Sequence, residues 1–68
     1  MVKIYMTSGT ILYRNDASIP ANDQVQAFRT YVNSSNSRGA SCITAYKDQA
    51  LTQPVVMVLQ NVEYFEEI

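Results

Sequence analysis

The chain has 68 residues, a formal net charge of -1, 47% hydrophobic residues, one cysteine and no histidine. Without histidine it lacks the usual general base at neutral pH, and a single cysteine excludes an internal disulfide and most transition-metal sites. A chain this short buries only about 60% of the surface its unfolded form exposes, and self-association is a common way to gain more.

The hydrophobic content fits one folded domain spanning residues 1–68 rather than disorder. Five basic residues are spread along the chain. They make no electrostatic footprint for a nucleic-acid backbone, so nucleic acid is not an expected partner. No apolar run approaches the ~18 residues of a membrane span. The N-terminus reads straight into a strand pattern instead of a leader, and one free thiol fits a reducing compartment. The expected location is therefore the cytoplasm, that of the host cell if the source is viral.

Val2-Lys3-Ile4-Tyr5-Met6 alternates as a half-buried strand does. Thr7-Ser8-Gly9-Thr10 supplies a turn, and Thr10-Ile11-Leu12-Tyr13-Arg14 favours a second strand. Residues 2–14 thus predict a β-hairpin with Ser8-Gly9 at its tip. The expected register pairs Met6 with Ile11, Tyr5 with Leu12, Ile4 with Tyr13 and Lys3 with Arg14. Opposed residues share a face. Val2, Ile4, Met6, Ile11 and Tyr13 then lie on one side, and Lys3, Tyr5, Leu12 and Arg14 on the other.

Asn15 to Pro20 connects to a helix, with Asn22 as its expected N-cap and Asp23 in its first turn. Val25, Phe28 and Val32, flanked by Ala27 and Tyr31, form an apolar stripe at helical spacing; Gln24, Gln26, Arg29, Thr30 and Asn33 fall outside it. The serine- and asparagine-rich stretch Asn33–Gly39 reads as a surface loop. Ala40–Lys47 is the next strand, and Asp48–Pro54 a polar connection. Val55-Val56-Met57-Val58-Leu59 is a continuous apolar run, which predicts a strand buried on both faces. After a bend at Gln60-Asn61, Val62–Glu66 forms a last short strand. The order ββαβββ gives an α+β fold, a small antiparallel sheet with one helix on one face. The other face then needs a partner, because monomers seldom leave a large apolar surface in water.

No catalytic constellation emerges. Cys42 has no histidine to activate it and is expected as a small buried residue within its strand. Ser8, Ser34, Ser35, Ser37 and Ser41 fit no nucleophile-elbow pattern. Glu63, Glu66 and Glu67 read as a solvated strand edge rather than a metal site. With glycine only at positions 9 and 39, there is no phosphate-cradling loop. What remains is five tyrosines and a few cations. Tyrosine offers a stacking surface with a polar tip, and arginine pairs with phosphate bidentately. Lys3, Tyr5, Arg14, Arg38 and Tyr46 are the candidate ligand-binding set for a planar, anionic, nucleotide-like molecule. Tyr5, Leu12, Val56 and Val58 are the candidate oligomer interface. No cofactor is expected.

The opening Val2-Lys3-Ile4-Tyr5-Met6-Thr7-Ser8-Gly9-Thr10-Ile11 and the ending Leu59-Gln60-Asn61-Val62-Glu63-Tyr64-Phe65-Glu66-Glu67-Ile68 resemble short accessory proteins of phages and prophages. That resemblance implies action by binding, either blocking a host or defence protein or sequestering a nucleotide signal as an oligomeric sponge. The first strand and glycine turn are also similar to Sm-like RNA-binding barrels, from which the helix after the hairpin departs. The expected function is therefore a non-enzymatic homo-oligomer that sequesters a small anionic nucleotide. The alternative is a small inhibitor or adaptor that docks on a host defence protein.

Overall fold

The computed structural model describes the backbone of residues 1–38 and 41–68, and side-chain surroundings for 1–34 and 41–68. Strands β1 (Val2–Met6), β2 (Ile11–Arg14), β3 (Cys42–Tyr46), β4 (Pro54–Val58) and β5 (Val62–Glu67) form one antiparallel sheet, ordered β4-β3-β2-β1-β5. Helix α1 (Gln24–Arg38) packs on one side, giving the α+β fold that the element order predicts.

The hairpin register differs from expectation by one residue. Tyr5 pairs with Ile11, Ile4 with Leu12, Lys3 with Tyr13 and Val2 with Arg14. The cause is the loop. The Met6 N–H donates to the Thr10 carbonyl and the Gly9 N–H to the Met6 carbonyl, so only Thr7, Ser8 and Gly9 lie outside the ladder. Gly9 has φ +92°, the left-handed position that closes a turn of this length. A slip of one residue turns every β2 side chain over. Leu12 moves into the core at 4% exposure, while Ile11 and Tyr13 move to the outer face. A Cβ on Gly9 would meet nothing within 4 Å, so substitution costs backbone conformation alone. Gly9→Ala is expected to destabilise by about 1–2 kcal/mol, read from urea unfolding.

The sheet is strongly coiled. β4 and β5 are its two edges, yet only the short 3-10 turn Leu59–Asn61 joins them. A flat sheet would separate these edges by about 19 Å at the usual strand spacing. The chain from Val58 to Val62 reaches at most about 14 Å. The sheet therefore curls around the helix, its concave side holding the core and its convex side facing outward. Val2, Ile4, Met6, Leu12, Phe28, Ala45, Met57 and Leu59 form the buried cluster, with Val25, Val32, Ile43, Val55, Val62 and Phe65 packed against it.

Other expectations are corrected. The Val55–Leu59 run is not buried on both faces: β4 is an edge strand, and Val56 is 69% exposed. Asn22 is not a helix cap. It lies in a 3-10 turn, Ala21–Asp23, that leads into α1 and has Pro20 at its head with no side-chain cap. The stretch expected as a loop from Asn33 is helical through Arg38. Serine and asparagine are only mildly unfavourable in helices, so a helix anchored by Phe28 and Val32 continues through them. Gly39, the end of that expected loop, lies outside the described residues. Cys42 is exposed, not buried.

Candidate functional site: the convex tyrosine face

Strand pairing sets which side chains reach the convex side. Pro54, Tyr46, Tyr13, Lys3 and Glu66, one from each strand, are successive partners across the whole sheet. Ile11, Tyr5 and Tyr64 form a second row beside them. Thr44 with Val56, and Cys42 with Val58, continue this face on β3 and β4. The face thus gathers four of the five tyrosines of the chain.

Its polar contacts centre on Tyr5. The Tyr5 and Tyr64 rings stack at 4.2 Å with planes 15° apart. The Tyr5 hydroxyl donates to the Glu66 carboxylate at 2.6 Å, and Lys3 Nζ lies 5.3 Å from the Tyr5 ring centre. Donation to Glu66 holds the Tyr5 proton and raises its pKa, while the neighbouring Tyr5 group favours the Lys3 ammonium and raises its pKa too. Lys3 therefore sits beside a carboxylate rather than as an isolated cation, which reduces its pull on an anion.

Arg14 is not on this face. Paired with Val2, it points to the helix side, where its guanidinium lies 5.5 Å from the Tyr31 ring centre. Its Nη1 donates to the Thr44 carbonyl at 2.6 Å. The ladder between β2 and β3 holds only the Tyr13–Tyr46 pair, so Arg14 satisfies a carbonyl that a longer β2 would have reached. The expected grouping of Arg14 with Lys3 and Tyr5 fails through the register slip. Leu12 is likewise removed from any outer interface by burial. Tyr5, Tyr46, Val56 and Val58 do line the convex side. Arg38 is the last residue of α1, and its side chain lies outside the described residues.

Tyr13, Tyr64 and Ile11 were not singled out as site residues from the sequence. The available signal was Gly9 in third place after Met6, which marks a short loop with a left-handed glycine. That reading would have set the register.

Beyond Tyr46 the chain turns at Asp48, whose Oδ1 accepts from the Thr52 and Gln53 N–H groups, each at 3.0 Å. Its Oδ2 also accepts from the Thr52 hydroxyl. Leu51 adopts φ +60° within this loop. The Thr52 hydroxyl above all, with the backbone donors, holds the Asp48 carboxyl below the usual range. A lowered folded pKa stabilises the fold above the ordinary value of about 3.9, and this contribution is lost as pH falls through the folded value. Asp48→Asn is expected to melt below the wild type at neutral pH, with the two curves converging in acid.

Among the described residues there is no pocket, and no group of three or more His, Cys, Asp or Glu placed to hold a metal. No described helix is long and apolar enough to cross a membrane. The chain matches no family model, no curated protein and no solved structure.

Proposed function

We propose that this chain is a binding protein rather than an enzyme, and that its convex tyrosine face docks on another protein. The observation that carries this reading is the gathering of Tyr5, Tyr13, Tyr46 and Tyr64 on one outward surface with Ile11, at 40% exposure, among them. Tyrosine is enriched at protein interfaces, because it offers large contact area and a polar tip at small entropic cost. Small-ligand sites are concave and enclose their ligand, whereas this surface bulges outward. Its one cation, Lys3, has Glu66 as its strand partner, so the surface has little to grip a phosphate. The resemblance to phage accessory proteins implies either a host or defence protein as target or a sequestered nucleotide signal, and the outward curve of the face favours the protein.

Sequestration of a nucleotide is the second reading. It is favoured by Tyr46, Tyr13 and Lys3 standing in one row, and it needs a recess built between copies.

Tyr64 and Ile11 are exposed in the two rows of the face that carry the tyrosines, so Tyr64→Ser with Ile11→Ser changes docking with little effect on folding. Truncating an interface hot spot costs about 2 kcal/mol or more, a drop in affinity of more than tenfold. In pull-downs from the source cell, the wild type is expected to enrich one protein that the double variant fails to hold. Identical pull-downs would remove the face from docking. A nucleotide mass carried by the native protein in mass spectrometry would replace this reading with sequestration.

A further inference from the structure

The two edges of the sheet differ in kind. β5 carries Glu63, Glu66 and Glu67, which repel a second copy of the same edge. β4, Pro54-Val55-Val56-Met57-Val58, carries no charge and pairs only with β3.

The hydrogen bonds fix which β4 backbone groups are free. Lys47 N–H donates to the Gln53 carbonyl, and Leu59 N–H to the Ser41 carbonyl. These are opposed residues in the register that pairs Cys42 with Val58 and Tyr46 with Pro54. Hydrogen-bonded and non-bonded pairs alternate along an antiparallel ladder. Val55 and Met57 therefore direct their N–H and C=O groups at β3. On the outward side lie both backbone groups of Val56, the Val58 N–H and the Pro54 carbonyl.

We propose that this free edge pairs antiparallel with the same edge of a second copy, with Val56 opposite Val56. In that register each Val56 N–H meets the other copy's Val56 carbonyl. Each Val58 N–H meets the other copy's Pro54 carbonyl. The proline, which lacks an N–H, falls at the outermost position and costs only the last bond at either end. The exposed Val56 side chains, 69% accessible in one copy, meet on the dyad. The alternative, β4 on the β5 edge of another copy, would desolvate Glu63 and Glu67 and would continue into a ring or filament instead of closing. The self-paired edge closes as a dimer, and its axis, perpendicular to the sheet, keeps both convex faces on the same side.

The inference does not rest on the docking role of the convex face, and the two fail separately. Its test uses Val56→Lys and Val56→Glu, which change an outward side chain and leave the intrachain ladder intact. Circular dichroism checks that both fold. In sedimentation across a range of concentrations, the wild type is expected to dimerise and each variant alone to stay monomeric, since like charges would then face each other across the dyad. An equal mixture of the two is expected to dimerise again, because lysine then meets glutamate. A wild type that stays monomeric, a dimer untouched by either variant, or masses growing beyond a dimer would each overturn the proposal.

Discussion

Phe28→Ala is expected to leave the chain largely unfolded at room temperature. The ring is 2% exposed within the main buried cluster and meets Phe65 edge-on, with centres 4.9 Å apart. Removing a buried phenylalanine costs about 3–5 kcal/mol, the transfer term plus the cavity left behind. A domain of this length holds only about 3–10 kcal/mol in total. The concave core has no second layer to collapse into the gap, because one helix alone fills it. Phe28→Leu keeps most of the volume and is expected to fold with a loss of about 1–2 kcal/mol. Far-ultraviolet circular dichroism with urea titration separates the two; a cooperative unfolding transition near that of the wild type for Phe28→Ala would show that Phe28 is not central to the core.

The second large effect is expected at Gln24. Its side chain is 4% exposed and is the one buried polar residue among those described. The Asp16 N–H donates to its Oε1 at 2.9 Å, while its Nε2 donates to the Asp16 carbonyl at 2.7 Å and to the Ile19 carbonyl at 2.9 Å. One amide thus fastens the connection between β2 and α1 to the start of the helix. Gln24→Ala strips partners from three backbone groups and is expected to cost about 2–3 kcal/mol. Gln24→Glu preserves the shape but sets a carboxylate against two carbonyl oxygens. It is expected to cost a similar amount at neutral pH and to recover in acid, where a protonated carboxyl donates one of those bonds. A melting temperature of Gln24→Glu that does not rise relative to wild type on acidification would argue against this donor role.

Gln24 also shows where the sequence was silent. Helical periodicity marked Phe28, Val25 and Val32 for the core, and they are there, because a spacing of three and four residues fixes one side of a helix whatever surrounds it. The same periodicity put Gln24 outside the stripe. It is buried because the connection before it folds over its side chain, and a helical wheel carries no information about that. The strands were legible as strands, since alternation and β-branched residues are local signals. Register was not, because it depends on how many residues the Thr7–Gly9 loop leaves unpaired, and one residue decides the orientation of all of β2. Nor was the edge position of β4: an apolar run reports a preference for burial, while strand order is set by which partners the rest of the chain supplies. The composition of the candidate face was legible as a surplus of tyrosine. Its membership was not, because Arg14 and Leu12 left it and Tyr13 and Ile11 joined it on that same loop residue.

The single residue pair joining β2 to β3 has a mechanical consequence. It divides the sheet into two ribbons, β5-β1-β2 and β3-β4, each knitted along its length and fastened to the other at one stitch beside the Arg14 guanidinium. The ribbons are kept aligned chiefly by the side chains beneath them, Leu12 in the first and Ala45 and Met57 in the second. Rotation about the stitch leaves Tyr13 beside Tyr46 and changes the angle between the two ribbons without parting either one. The convex surface is thus two hydrogen-bonded ribbons that meet at one residue pair, so a small rotation there alters its curvature without breaking a strand ladder.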